Sequence, residues 1–208
     1  MLGMPGMALA ILTAIQGQPD IRSARSAAAR VLHEAKTAAN RVLQDRFLLT
    51  PLNALPLIRA QADLTDALVR AAFEVALRLH PLHNPTASER IAVLAVGGFG
   101  RAEMAPHSDV DLLLLFPYKI TPWAENLVES LLYILWDLKL KVGHSSRTVK
   151  DCIRLGREDY TIRTALLEHR FICGDPAQAA ELDAKLWSDL FANTGRDRQA
   201  GRTGRKRD

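Results

Sequence analysis

The sequence predicts an α+β fold in which helices come first and a small mixed sheet with flanking helices follows. Residues 20–79 carry two long amphipathic patterns with helical spacing, interrupted by Pro51 and Pro56. After residue 90 the pattern changes to short apolar runs, which are long enough for buried strands and too short for helices. A composition of 48% hydrophobic and 24% charged residues is typical of a globular chain rather than a disordered one.

The first fifteen residues are apolar but contain no Lys or Arg, so they make a poor signal peptide. No window reaches the ~18 unbroken apolar residues that a membrane-spanning helix needs, and we expect no membrane association. Cys152 and Cys173 form no recognisable motif. We therefore expect two reduced packing residues and a cytoplasmic protein.

The two long helices are predicted from their caps and apolar stripes. The first begins after Asp20, a suitable N-cap, and runs to about Leu49. The second runs from about Leu57 to Leu79 and stops at His80-Pro81, because the residue before a proline disfavours helical geometry. The apolar stripes of both helices predict helix–helix packing, and residues 81–88 are expected to form a loop.

The second half of the chain is predicted to alternate strands and helices. The apolar runs predict strands over 91–96, 110–116 and 140–149. Between the first two we expect a glycine turn and one short helical turn after Gly100. Amphipathic spacing and caps predict helices over about 123–138, 148–156, 159–168 and 175–192. This organisation divides the chain into an N-terminal helical region (1–88), a core with its following helices (89–193) and a basic tail (194–208).

The positive charge of the chain lies in the tail. Residues 195–208 contain six basic and two acidic residues, a net of +4, which equals the net charge of the whole chain. The remaining residues are therefore neutral overall. We expect the tail to be disordered and solvated, and we expect no specific binding of nucleic acid.

Asp109 and Asp111 are the strongest candidates for chemistry. They lie two residues apart in a strand pattern, so both carboxylates point to the same face while Val110 points to the core. Two anions about 6–7 Å apart on one strand face are unfavourable unless a cation lies between them. Mg²⁺, which takes one or two carboxylates together with phosphate oxygens, is the expected partner.

Gly97 and Gly98 are expected to end the preceding strand. Without side chains they let the backbone approach phosphate oxygens and present its N–H groups, next to the positive end of a short helix. Each short motif alone is a weak signal. The combined pattern is far more specific: a strand is followed by Gly-Gly, ten residues and then Asp-x-Asp leading into four leucines. The alternative is a turn with two acids that simply face solvent.

This arrangement resembles the DNA polymerase β-like nucleotidyltransferase superfamily. Within it, the chain is similar to the bacterial bifunctional uridylyltransferase/uridylyl-removing enzymes, which modify the nitrogen-regulatory PII protein. The resemblance spans roughly residues 25–195 and implies a polymerase β-like core. It rests on three strings in order, over residues 96–115, 135–148 and 166–175.

The resemblance implies transfer of UMP from UTP to a tyrosine hydroxyl of PII, with Mg²⁺ and release of pyrophosphate. By position, Asp109 and Asp111 would bind the metal and Gly97 and Gly98 would cradle the triphosphate. Four further residues are candidates for phosphate contacts, with a surface charge or a salt bridge to Glu103 as the alternative for each: Arg101, Ser108, Lys141 and Arg147. For His107 and His144 we expect packing or hydrogen bonding rather than catalysis.

The sequence departs from the family pattern in two ways. Many superfamily members have a third carboxylate on a later strand, near residues 140–147, where this chain has no acid. Asp137, Asp151 and Asp159 are the alternatives left open. No histidine is followed by aspartate, so the phosphohydrolase motif of the family is missing and we expect no uridylyl-removing activity.

The end of the chain predicts a truncated gene. Residues 201–205 can be encoded so that a one-base shift reads Ala-Glu-Arg-Asp-Ala, a string of the kind that family members carry here. We therefore expect the last dozen residues to be an out-of-frame extension. Two other functions stay open: a nucleotidyltransferase with another acceptor, and an inactive remnant that only binds nucleotide or PII.

Overall fold

Three helices form the N-terminal region of the computed structural model, which describes residues 4–191. Helix α1 (Met4–Ile15) contacts α2 (Ile21–Leu49), and α2 packs against α3 (Ala54–Leu79). The side chain of Asp20 accepts a 2.7 Å hydrogen bond from the N–H of Ser23, so the predicted N-cap is confirmed. Helix α1 was not predicted, because its residues are apolar nearly all round and give no amphipathic stripe.

The second half is built on a four-stranded mixed sheet with the order β3-β2-β1-β4. Strand β1 pairs antiparallel with β2 and β4, whereas β2 and β3 are parallel. A parallel pair needs a crossover, which helix α5 (Pro122–Asp137) provides. The strands are β1 (Ala92–Ala95), β2 (Val110–Phe116), β3 (Val142–Thr148) and β4 (Arg170–Gly174).

The remaining helices match the predicted caps. Thr148 and Asp151 form a capping box at the start of α6, and Asp175 caps α8, where Pro176 is the first residue. The helices are α4 (Gly97–Gly100), α6 (Val149–Glu158), α7 (Tyr160–Leu167) and α8 (Pro176–Lys185), followed by a π-helical turn (Leu186–Phe191). A short helix was predicted after Gly100. This position is wrong, because the helix is formed by the glycine segment itself, Gly97–Gly100.

Strand β2 is buried on both faces after its first residues. Val110, Leu112, Leu114 and Phe116 face a core shared with α2, α3 and α5. Leu113 and Leu115 face a second core shared with α6 and α8. Helices α2 and α3 therefore pack on the sheet through one continuous core, and the predicted boundary near residue 88 stays a prediction.

Residues 4–191 also show how apolar the helices are and which state the two cysteines have. No helix in this range is both long enough and apolar enough to cross a membrane. Both cysteines are free, and burial raises the pKa of each thiol to about 12, so neither is a reactive thiolate at neutral pH. The predicted tail (194–208) lies outside the described residues.

Candidate functional site

The acid pair lies at the start of β2, where the strand emerges from its helical covering. Asp109 immediately precedes the strand, and both Asp109 and Asp111 are exposed, whereas Val110 between them is fully buried. Asp111 shares its sheet face with Leu113, which is 1% exposed, so the helices of the second core stop short of the acids. Neither carboxylate has a hydrogen bond or ion pair within residues 4–191, and both are available to a ligand.

The electrostatics of this site favour a bound cation. Desolvation, together with the nearby negative charge of Asp109, raises the pKa of the Asp111 carboxyl. Both causes penalise the ionised form of Asp111. A divalent cation between the two carboxylates would reverse this penalty, because opposite charge favours the ionised form.

Two glycines flank the Asp111 carboxylate. Gly97 has a φ of +60°, and its backbone is held beside Asp111 by a 3.0 Å hydrogen bond from the N–H of Val96 to the carbonyl of Asp111. A Cβ on Gly97 would lie 3.7 Å from Asp111 Oδ2. On the other side Gly143 pairs with Asp111 in the β2–β3 register, and a Cβ there would lie 2.6 Å from Asp111 Oδ1.

Gly143 was not predicted to be a site residue, although its place in the sequence pattern indicated a close approach of another group. A glycine inside a strand pattern often marks a close approach of another group. The run 140–149 was predicted as a strand, and Gly143 interrupts it. What the sequence could not supply was the register that places Gly143 opposite Asp111.

The glycine turn, which is helix α4 (Gly97–Gly100), is anchored to the rest of the core by its C-terminal end. Arg170 of β4 donates to the carbonyls of Phe99 and Gly100, at 3.0 and 3.2 Å. The guanidinium of Arg170 also pairs with the buried carboxylate of Asp66 on α3. A Cβ on Gly100 would lie only 1.8 Å from the carbonyl oxygen of Glu168, so the turn packs directly on the end of α7.

This packing makes Gly100 and Gly98 differ as substitution sites. We expect Gly100→Ala to destabilise the protein by about 1–3 kcal/mol or more, since backbone must move to admit the methyl group. Gly98→Ala adds a Cβ whose nearest contacts are ordinary, at 3.7 Å, and should leave the stability nearly unchanged. Urea unfolding of the two variants compares them, and equal midpoints would contradict this packing.

The secondary candidates are not all brought to the acid pair. Arg101 forms ion pairs with Glu103 and Glu168, at 3.0 and 2.7 Å, so the salt bridge considered as its alternative is present. Arg147 pairs with Leu115 in the sheet register, four residues beyond Gly143. At about 3.3 Å per residue this is roughly 13 Å away along the strand.

Ser108 and Lys141 lie nearer to the acids and line a cleft of about 690 Å³ between the N-terminal helices and the loop before β2. Lys141 directly precedes β3, and its carbonyl accepts the N–H of Val110 at 2.7 Å. Lys36 and Lys139 also line the cleft, whereas no acidic residue does. Neither Asp109 nor Asp111 lines this cleft, which residues of α2 and α3 form on the face of the sheet that Val110 occupies.

No third acid joins Asp109 and Asp111 in the described part of the chain, where no cluster of three potential metal-ligating side chains occurs. Asp151 is occupied by the capping box with Thr148, and Asp159 caps α7. Asp137 lies at the end of α5, on an element that packs on the other face of the sheet. Two carboxylates still fit Mg²⁺, which is commonly bound by one or two carboxylates plus substrate phosphates.

The raised pKa of Asp111 predicts the effect of Asp111→Asn on stability. A group whose pKa is raised on folding contributes stability below its unfolded value, 3.8 here, that is lost as the pH rises through the folded pKa. At pH 7 without divalent cations, Asp111→Asn should therefore melt higher than the wild type. The difference should shrink as the pH falls towards 3.8. Melting curves across this pH range measure it, and a lower melting temperature of the variant at pH 7 would contradict the assignment.

Comparison with known proteins finds close relatives of this chain. It is 69% identical over 180 residues to a bifunctional uridylyltransferase/uridylyl-removing enzyme of Cereibacter sphaeroides, covering 86% of this chain and 19% of the relative. Enzymes of the same name from Ruegeria pomeroyi and Erythrobacter litoralis are 54% and 49% identical, covering 95% and 83% of this chain and 22% and 19% of the relatives. The chain thus spans about a fifth of the length of the curated relatives it matches. No protein-family model matches.

Proposed function

For this chain, which is homologous to a segment of bifunctional uridylyltransferase/uridylyl-removing enzymes, we propose a Mg²⁺-dependent uridylyltransferase function. The reaction transfers UMP from UTP to a tyrosine hydroxyl of the PII regulatory protein and releases pyrophosphate. The observation that carries the proposal is the exposed pair Asp109 and Asp111, which has no partner within residues 4–191 and lies against the glycine turn. We place the reaction in the cytoplasm, in line with two free cysteines.

Asp109 and Asp111 would hold Mg²⁺ together with phosphate oxygens of UTP. When bound, Mg²⁺ supplies positive charge that offsets the charge on the transferring phosphoryl group and on the leaving pyrophosphate. Within residues 4–191 neither carboxylate has a cationic partner, which supports this assignment, as does the raised pKa of Asp111.

The glycine turn would orient the triphosphate. The N–H groups in the first turn of a helix lack partners within that helix, so those of Gly97 and Gly98 can donate to phosphate oxygens. Ser108 directly precedes Asp109, and the carbonyl of Lys141 accepts the N–H of Val110, so these two residues are proposed to contact the nucleotide. Arg101 already pairs with two carboxylates, and Arg147 lies farther along the sheet, so we propose weaker roles for these two residues.

In the reaction the tyrosine oxygen bonds to the α-phosphorus of UTP. The bond from this phosphorus to the bridging oxygen breaks, the pyrophosphate leaves, and the hydroxyl proton passes to solvent. The acid pair and the glycine turn would contribute by balancing charge and by positioning the triphosphate, which are the main sources of catalysis in such transfers.

The proposal is tested with nucleotides labelled at the α-phosphate. The purified chain is incubated with Mg²⁺, labelled UTP, CTP, GTP or ATP, and PII protein from the same organism. We expect label on PII with UTP only, and no label on a PII variant whose acceptor tyrosine is phenylalanine. Label on another acceptor would indicate a nucleotidyltransferase of different specificity, and nucleotide binding without transfer would indicate an inactive remnant. Either result overturns the proposal.

A further inference from the structure

The carboxylate of Asp111 occupies the space that a side chain at position 143 would need. A Cβ built on Gly143 has contacts with Asp111 alone: Oδ1 at 2.6 Å and Cγ at 3.8 Å. A Cβ essentially never comes within 3.0 Å of another heavy atom, so any residue other than glycine must displace this carboxylate. No backbone atom obstructs the position, which separates Gly143 from glycines that are required by the packing of the main chain.

The opposite side of the carboxylate is bounded by Gly97. A Cβ on Gly97 would lie 3.7 Å from Oδ2, so the two glycines form the walls of a slot for the Asp111 carboxylate. The register of β2 and β3 sets one wall and the hydrogen bond from Val96 to Asp111 sets the other. Within residues 4–191 no group donates a hydrogen bond to this carboxylate, so no such bond would hold it in place against a side chain at position 143.

We propose that Gly143 is a positioning residue, whose missing side chain allows Asp111 to hold its carboxylate in the orientation that binds the metal. This inference rests on the proposed function, because it assigns the metal to Asp109 and Asp111. Gly143 itself would touch neither metal nor nucleotide and would act through Asp111. Mutation of residues that orient a metal ligand from the outer shell typically costs about 10–100-fold in metal affinity, and we expect an effect of this size at Gly143.

The test measures metal binding rather than turnover. Mn²⁺ is titrated by electron paramagnetic resonance in the presence of α,β-methylene-UTP, which cannot transfer UMP. We expect Gly143→Ala to bind Mn²⁺ about 10–100-fold more weakly than the wild type. Gly156→Ala is the matched control. Gly156 lies on α6, and its added Cβ would also be too close to the end of a side chain, at 2.9 Å from Leu190 in the second core, away from the acid pair. We expect it to bind Mn²⁺ as the wild type does.

The outcomes separate this inference from the proposed function. If the wild type binds Mn²⁺ and Gly143→Ala binds it equally well, the positioning role is wrong and the proposed function stands. If the wild type binds no Mn²⁺ with the nucleotide analogue, the proposed metal site fails and the inference fails with it. Should Gly143→Ala melt at a lower temperature, adding Asp111→Ala should restore the melting temperature, since it removes the group that the methyl meets. Failure to restore it would also overturn the inference.

Discussion

Replacing Asp109 and Asp111 together by asparagine is expected to lower the rate of UMP transfer to PII by at least about 10²–10³-fold. Removing a single preorganised group that stabilises transition-state charge already costs this much, and the double variant removes both proposed metal ligands. The fold should be retained, because both side chains are exposed and have no partner within residues 4–191. Single-turnover kinetics with labelled UTP measure the effect on the chemical step.

Asp63→Asn is a suitable control for this loss of activity. Asp63 is exposed on α3, so the substitution also removes one negative charge from the surface. We expect wild-type kinetics from this variant and a melting temperature for the Asp109/Asp111 variant that is no lower than that of the wild type. Full activity of the double variant would remove the acid pair from the mechanism.

Asp66→Ala is expected to destabilise the protein by about 3–5 kcal/mol, since breaking a buried ion pair leaves its partner uncompensated. Asp66 is 5% exposed and accepts from Arg170 through both carboxylate oxygens and from Arg70 at 3.3 Å. For a chain of this size the loss corresponds to a fall in melting temperature of roughly 6–20 °C. Arg170 also holds the carbonyls of the glycine turn, so transfer activity should fall in the folded fraction as well.

The neighbouring acid on the same helix provides the matched comparison. Asp63 lies three residues before Asp66 on α3 but is exposed. Asp63→Ala should change the free energy of unfolding by no more than about 0.5 kcal/mol. Thermal or urea unfolding of both alanine variants measures the difference, and similar stabilities would show that the Asp66–Arg170 pair contributes little to anchoring the turn.

The local parts of the fold were largely predictable. Strand β2 has the predicted bounds, 110–116, because Val110 and a run of five buried apolar residues, Leu112–Phe116, end at a proline. The caps at Asp20, Thr148 and Asp175 were identified from residue type and spacing, and each makes the expected hydrogen bond. Capping depends on atoms within three residues of one another, so the sequence contains all the information that it needs.

The unpredicted parts depend on contacts between distant segments. Strand β4 (Arg170–Gly174) is short and only partly buried, so its residues show no apolar pattern that predicts a strand. It forms a strand by pairing with β1. Arg170 was not a candidate residue, although it joins α3, β4 and the glycine turn. Its partner Asp66 lies 104 positions away in the sequence, so no local pattern relates the two.

The sequence by itself determined that Asp109 and Asp111 share one face of a strand and follow a glycine turn, because alternation along a strand and the conformational range of glycine are local properties. It also indicated the family through the order of its three strings. Only the tertiary structure decided that Gly143 lies against the Asp111 carboxylate, that Arg101 is paired with Glu103 and Glu168, and that Arg147 lies farther along the sheet. The physical reason is that strand register and long-range ion pairs are set by the packing of the whole core, not by the segment that carries the residue.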